Sequence, residues 1–262
     1  TYGDMPETDP WDPRQYDRFR DERREPFFDL LALVQPRAGM TVIDLGCGTG
    51  ELTRELHLKL KSKRTIGIDN SAKMLRESAS FAADGLTFEQ RDITDCGGMG
   101  MFDLIFSNAA IQWIADHPRV IEMLSSMLTY TGQLAVQMPA NDDHVSHEIA
   151  REVASREPFA ATLNGWTRPV NVLRPDGYAL ILHALGFARQ HVRMVVYPHV
   201  LNDRTEVIEW VRGTMLTDYQ KRLPPELWDE FLEEYRAELF LRVPDSRPFF
   251  YPFNRILFWA GR

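Results

Sequence analysis

The chain has 262 residues, 44% of them hydrophobic and 26% charged, with a formal net charge of −8. Composition and length of this kind fit one large α/β domain, alone or with a smaller cap, and the acidic balance argues against a grip on a nucleic-acid backbone. Apolar runs are short and broken by charge, which excludes a bilayer-crossing segment; the polar start "TYGDMPETDPWDPRQY" lacks a secretory apolar run, and a content of only two cysteines, Cys47 and Cys96, points to the reducing cytoplasm.

Asp12-Pro13 reads as a cap followed by proline in a first helical turn. The helix that follows sets Tyr16, Phe19, Arg20 and Arg23 on one face. Pro26 is expected to start a second helix, with Phe27, Leu30, Leu31 and Val34 as its apolar stripe. From there strands and helices alternate. "MTVIDL", "RTIGID", "LTFEQRDI", "FDLIFSN" and "GQLAVQMP" read as five strands. The helices between them include "ELTRELHLKL", one capped by Ser71, and one opened by Asp116 and Pro118. Strands that are almost continuously apolar, separated by helices, predict a parallel sheet covered on both faces.

After Pro139 the rhythm loosens. A helix is expected over 143–156, an irregular loop over 155–175, and a helix over 176–185. A strand in "FARQHVRMVVYPHV", helices near 204–214 and 225–241, and a closing strand in "FYPFNRILFWAG" complete the chain. The late helices predict a cap over the carboxyl edge of the sheet. The expected division is therefore residues 1–36 as N-terminal helices closing over a ligand, 37–140 as the ligand-binding core, and 141–262 as the remaining core strands plus the cap.

Between the first strand and helix lies "VIDLGCGTGELT", with Gly46, Gly48 and Gly50 on a two-residue beat after Asp44. Glycines at such a turn let a ligand approach the backbone. The spacing differs from the G-x-G-x-x-G that seats a pyrophosphate, and Asp44 and Glu51 suit a cation such as an ammonium or a sulfonium. Asp69, ending the second strand, stands where an acid takes both hydroxyls of a ribose. Asp92 follows the third strand, where a carboxylate or the adjacent backbone meets an adenine edge.

Taken together, "VIDLGCGTG…IGIDNS…RDI…FDLIFSNAAIQW" resembles the class I S-adenosylmethionine-dependent methyltransferases over roughly residues 38–139. The resemblance implies a doubly wound, mostly parallel, Rossmann-like seven-stranded sheet with an antiparallel last strand and a late helical cap. It implies S-adenosyl-L-methionine as cofactor and S-adenosyl-L-homocysteine as product. It also assigns roles: Asp44, Gly46, Gly48 and Gly50 to the methionine part, Asp69 with Asn70 to the ribose, Asp92 and Ile93 to the adenine. Met74 would pack on the adenosine, Asn108 would lie beside the cofactor, and Tyr16 and Arg23 would close over it, with Arg23 pairing its carboxylate.

The place after the fourth strand reads "SNAAIQW". It lacks both the proline pair of amino-methylating nucleic-acid enzymes and the Pro-Cys of pyrimidine C5 methylation, which leaves a small-molecule substrate. "WDPRQYDRF", "SNAAIQW" with "HP", "LAVQMP", "EWVRGT" and "YPFNRILFWA" resemble members of the family that esterify a small unsaturated polycarboxylic acid such as trans-aconitate. A carboxylate is ionised at neutral pH, so no general base is expected and no catalytic residue is assigned. Remote carboxylates would be held by Arg212, Arg255, Tyr197 and His199, with Gln112 and Trp113 beside the transferred methyl. Two other readings stay open: methylation of a quinone or lipid intermediate, and a cofactor-binding module without turnover. No nucleic-acid, membrane or metal partner is expected, and the oligomeric state is not legible.

Overall fold

The computed structural model describes residues 19–262. The helix expected from Asp12-Pro13, and Tyr16 on it, lie outside the described residues. By chain contacts the protein divides into two compact units, and each is described by itself.

The larger unit comprises Phe19–Ala140, Asn171–Tyr197 and Phe253–Arg262. Its sheet is built from β1 (Thr41–Leu45), β2 (Arg64–Asp69), β3 (Leu86–Gln90), β4 (Phe102–Asn108), β5 (Leu128–Pro139), β6 (Arg189–Leu201) and β7 (Phe249–Gly261). These seven strands lie in the order β3-β2-β1-β4-β5-β7-β6. β1 pairs in parallel with β2 and β4, β2 with β3, and β4 with β5, whereas β7 runs antiparallel to β5. Val, Ile, Leu and Phe dominate β1 and β4, whose inner positions are buried. That is the pattern of strands covered on both faces.

One face of the sheet packs Val42, Leu104, Phe106, Ala135 and Leu257 against Phe27 and Leu30 of the N-terminal helix, Val34 just past its end, and Leu56 and Leu60 of the next helix. The other face packs Ile43, Ile66, Ile105, Val136 and Phe258 against Val120, Ile121 and Leu124, and against Tyr178 and Leu182. Each such side chain, fully buried, contributes roughly 1.5–3 kcal/mol. A single helix spans Arg20–Leu31 with Pro26 inside it, so Pro26 does not open a second helix as its position in the sequence led us to expect. An internal proline forgoes one helical hydrogen bond and costs about 3 kcal/mol or more. Burial of Phe27 and Leu30 immediately after it, at 1% and 0% exposure, offsets that cost.

Local signals set the helix starts. Ser71 Oγ accepts from the Met74 amide at 3.2 Å, as its place before the helix Ala72–Ser78 implies. Asp116 caps the helix His117–Ser126 by accepting from the Arg119 amide at 3.3 Å. The turn after β4 is bolted down from beneath. His117 Nε2 lies 2.9 Å from the Ile111 carbonyl and Nδ1 lies 2.6 Å from the Tyr178 hydroxyl. Burial lowers the His117 pKa, so the ring is neutral: Nε2 donates to the carbonyl and Nδ1 accepts from Tyr178. The Tyr178 oxygen in turn accepts from the Leu173 amide at 3.1 Å.

Among the described residues the smaller unit consists of Asn141–Val170 and Pro198–Pro252. It is mostly helical, with helices Val145–Ala154, Phe159–Thr162, Thr205–Arg212, Thr217–Gln220 and Pro225–Arg242. The stretch over 155–175, expected to be wholly irregular, contains the short helix Phe159–Thr162. No helix among the described residues is long and apolar enough to cross a membrane.

Candidate active site

In the strand order the direction of winding reverses between β1 and β4, and in such sheets ligands bind beyond the carboxyl ends of the strands at that point. The turn after β1 stands there. Gly46, Gly48 and Gly50 all have left-handed backbone, with φ of 72°, 55° and 81°, a conformation that only glycine adopts without strain.

The three glycines do different things. A Cβ on Gly46 would fall 2.4 Å from the Ala110 Cβ, and one on Gly50 would fall 2.8 Å from Phe88 and from Ser78. These two glycines are required by the protein's own packing. A Cβ on Gly48 would meet nothing within 4 Å. Open space over Gly48 alone is where a ligand can lie against the backbone, which narrows the expectation that the whole loop clears room for one.

The acids also divide. Asp44 is 3% exposed, beneath the loop, and its Oδ2 accepts from Thr53 Oγ1 at 2.6 Å. Burial, opposed by the Thr53 hydrogen bond and reinforced by the charge of Asp69, pushes its pKa up to about 7. Glu51 pairs with Arg24 of the N-terminal helix at 3.0 Å. Part of the loop's negative charge is therefore held within the protein. Asp69 is half-buried at the end of β2; Oδ2 accepts from the Gly48 amide and Oδ1 from the Ser71 amide, each at 2.9 Å. Asp92 caps the turn Ile93–Gly98, its Oδ1 accepting from the Thr94 amide at 2.8 Å and from the Thr94 hydroxyl at 2.7 Å. Asn70, exposed, bridges to Asp92 Oδ2 at 3.4 Å. Partial burial of Asp92 is outweighed by the Thr94 and Asn70 hydrogen bonds, so its pKa is lowered and it is ionised. Ile93 is half-buried beside it, and Met74 is buried at 4% exposure. Cys47 is buried, and its thiol, pushed up by burial and by the charges of Asp44 and Asp69, is neutral.

Beyond β4, Gln112 is 6% exposed, with Nε2 donating to the Ala109 carbonyl at 2.9 Å and its main-chain carbonyl accepting from Asn171 Nδ2 at 3.2 Å. Trp113 is half-buried next to it. Arg23 is buried on the N-terminal helix. Arg255 of β7 is 3% exposed, with its guanidinium 4.8 Å from the Phe253 ring and 5.9 Å from that of Tyr197. The Tyr197 hydroxyl donates to Asp29 at 2.7 Å, and burial, with Asp29, raises its pKa. The larger unit thus sets Gln137 between Asn108, whose Oδ1 accepts from Gln137 Nε2, and Arg255, whose Nη1 donates to Gln137 Oε1; we did not single out Gln137 from the sequence, although "LAVQMP" carries it inside an apolar strand.

In the smaller unit His199 is buried against Trp210, with ring centroids 4.5 Å apart, and Tyr251, at 6.3 Å. Arg212 is exposed at the end of its helix. A polar cluster here carries no signal in the sequence. Ser146 Oγ lies within 3.0 Å of His144 Nδ1, His147 Nδ1 and the Tyr251 hydroxyl. Arg168 pairs with Asp142 at 2.9 Å and Asp218 at 3.4 Å. Burial, with Arg168, His144 and Arg151 nearby, pushes the His147 pKa down to about 3, so that ring is neutral.

The loop geometry separates two substitutions. Gly48→Ala should cost about 1–2 kcal/mol, the strain of a left-handed residue. Gly46→Ala adds overlap with Ala110 and should cost at least about 1–3 kcal/mol more. Urea unfolding of the two variants checks this, and equal midpoints would contradict it.

A methyltransferase-domain family matches residues 36–185 of the chain. A trans-aconitate 2-methyltransferase of Deinococcus radiodurans is 41% identical over 258 residues, spanning 96% of this chain and 98% of that one. One of the same name from Variovorax paradoxus is 38% identical and spans 87% and 88%. The YcgJ protein of Bacillus subtilis, at 15% identity, shares the fold with a TM-score of 0.60, covering 91% of this chain and 98% of its own. The chain belongs to the S-adenosylmethionine-dependent methyltransferase family, among the relatives that carry the name trans-aconitate 2-methyltransferase.

Proposed function

We propose that this protein transfers the methyl group of S-adenosylmethionine to a carboxylate of trans-aconitate, forming a methyl ester. The observation that carries the substrate is similarity along nearly the full chain, at 41% identity, to a relative of that name. The buried arginine at the end of the sheet supports it, since Arg255 is a fixed cation suited to a carboxylate that does not react.

The cofactor supplies a methyl group activated by its sulfonium charge. In this reading the surface over Gly48 receives the methionine part, and Asp44, Gly46 and Gly50 shape that surface from within. Asp69, half-buried at the end of β2, takes the ribose hydroxyls, and Asn70 stands beside it. Asp92 and the Ile93 backbone meet the adenine, and Met74 backs the adenosine. Arg23 closes over the cofactor and pairs its carboxylate. The attacking carboxylate is already ionised, so the site needs no base. What the residues contribute is alignment and exclusion of water. Gln112 and Trp113 flank the methyl position, while Arg255 and Tyr197 hold the remote carboxylates. Attack of an anion on a cation disperses charge, so gripping the reacting carboxylate would slow the step, and the remote ones are where cations help. Residues 1–36 then act as a closing segment, 37–140 as the cofactor core and 141–262 as the substrate-facing part, at work in the cytoplasm.

The state of Asp44 gives a pH test. Its pKa near 7 in the free protein means that a proton competes with a cationic cofactor. Raising the pH from 5.5 to 7.5 ionises Asp44 and should tighten cofactor binding, by up to about tenfold per pH unit below the pKa. Asp44→Asn should flatten that slope in calorimetric titrations; an unchanged slope would contradict the assignment. The substrate is tested by methyl transfer from labelled S-adenosylmethionine to trans-aconitate, cis-aconitate, citrate and isopropylmalate. A base-labile ester forming fastest with trans-aconitate is expected. Turnover of none of these acids, with cofactor binding confirmed, would overturn the carboxylate reading.

A further inference from the structure

Asn108, Gln137 and Arg255 stand on three adjacent strands, with Asn108 of β4 in register with Gln137 of β5, and Pro139 of β5 in register with Arg255 of β7. Gln137 is 1% exposed. Its Oε1 accepts from Arg255 Nη1 at 3.1 Å, and its Nε2 donates to Asn108 Oδ1. The direction of this chain is forced. A guanidinium only donates, so the oxygen of Gln137 must face Arg255. The Gln137 amide nitrogen is then left for Asn108, whose oxygen must face Gln137. Asn108 is left with Nδ2, a donor, as the free end of its amide.

We propose that Gln137 is a positioning residue that relays the donor polarity of Arg255 to Asn108, fixing Asn108 as an N–H donor to a carboxylate of one of the two reactants. The proposal rests on the methyltransferase reading given above. Two carboxylates are candidates, that of the methionine part of the cofactor and one on the acid substrate. Both present acceptors only, and an Asn108 amide turned the other way would repel them. The Phe253 and Tyr197 rings hold the guanidinium in place, so the relay starts from a fixed group rather than a mobile one.

Gln137→Glu tests the relay. One carboxylate oxygen still accepts from Arg255, but the other faces Asn108 and turns its amide over, presenting Oδ1 to the ligand. Gln137→Leu removes the relay without imposing the wrong polarity. Two readouts are taken on each variant: S-adenosylhomocysteine affinity by calorimetry, and KM and kcat for trans-aconitate. For Gln137→Glu we expect a loss of tenfold or more in one binding parameter, and for Gln137→Leu a loss of two- to fivefold in the same one. Both losses should shrink below twofold in an Asn108→Ala background. A loss in S-adenosylhomocysteine affinity assigns the donor to the cofactor carboxylate, and a loss confined to KM assigns it to the substrate. Parameters within twofold of wild type, or losses that persist undiminished in Asn108→Ala, would overturn the relay. A purely structural role for Gln137 gives that last result, with lower thermal stability. Should Gln137→Glu fail to fold, the Gln137→Leu variant with and without Asn108→Ala decides between the same outcomes. The calorimetric arm needs no turnover, so failure of wild-type enzyme to methylate trans-aconitate would be recognised separately.

Discussion

The close approach of the turn after β1 to the turn after β4 is the constraint on which the carboxyl end of the sheet depends. Gly46 sits so near Ala110 that no side chain fits between them, and Gly50 is pressed in the same way against Phe88 and Ser78. Gly67, in β2, has room for no Cβ either, with Phe88 and Cys47 against it. Glycine forgoes backbone entropy worth roughly 0.5–1 kcal/mol relative to alanine. Here that loss is the condition for a loop clamped between neighbouring strands. The clamp leaves Gly48 facing outward and draws its amide onto Asp69 at 2.9 Å. The open surface at Gly48 is thus the residue of a packing problem solved elsewhere in the loop.

Charge follows from the same geometry. Because the loop covers Asp44, that carboxyl loses its hydration and holds its proton to about pH 7. Asp69 and Asp92 are the more accessible acids, and their oxygens are oriented by backbone amides of the segments that follow β2 and β3. At the same carboxyl end, β4, β5 and β7 carry a line of amide and guanidinium groups in which a buried cation sets the direction of both hydrogen bonds. Acceptors under one side of the site and donors under the other suit a reaction between a sulfonium and a carboxylate, in which no proton has to be moved.

Much of this was legible in the sequence because it rests on local rules. Continuously apolar strands alternating with helices specify a parallel sheet, and Ser71 and Asp116 mark helix starts by side-chain capping. Gly46, Gly48, Gly50, Asp69 and Asp92 could be marked as candidates for a crevice because each stands at or just after the end of a strand. What the sequence does not show is tertiary. Which glycine faces space and which faces Ala110 depends on where β4 ends relative to β1. Pro26 ends helices by local propensity, yet the helix runs through it because Phe27 and Leu30 are buried. Gln137 reads as one polar residue in an apolar strand until the register sets it between Asn108 and Arg255. The Ser146 cluster joins residues 105 positions apart, and no spacing rule reaches that far.

A crystal structure of the protein with S-adenosylhomocysteine tests the central claim most directly. The expected result places the ligand's methionine part against the backbone of Gly48 and its ribose hydroxyls within hydrogen-bonding distance of Asp69, with the contacts of Gly46 with Ala110 and of Gly50 with Phe88 unbroken. A ligand held elsewhere, or a loop that must open at Gly46 or Gly50 to admit it, would contradict it.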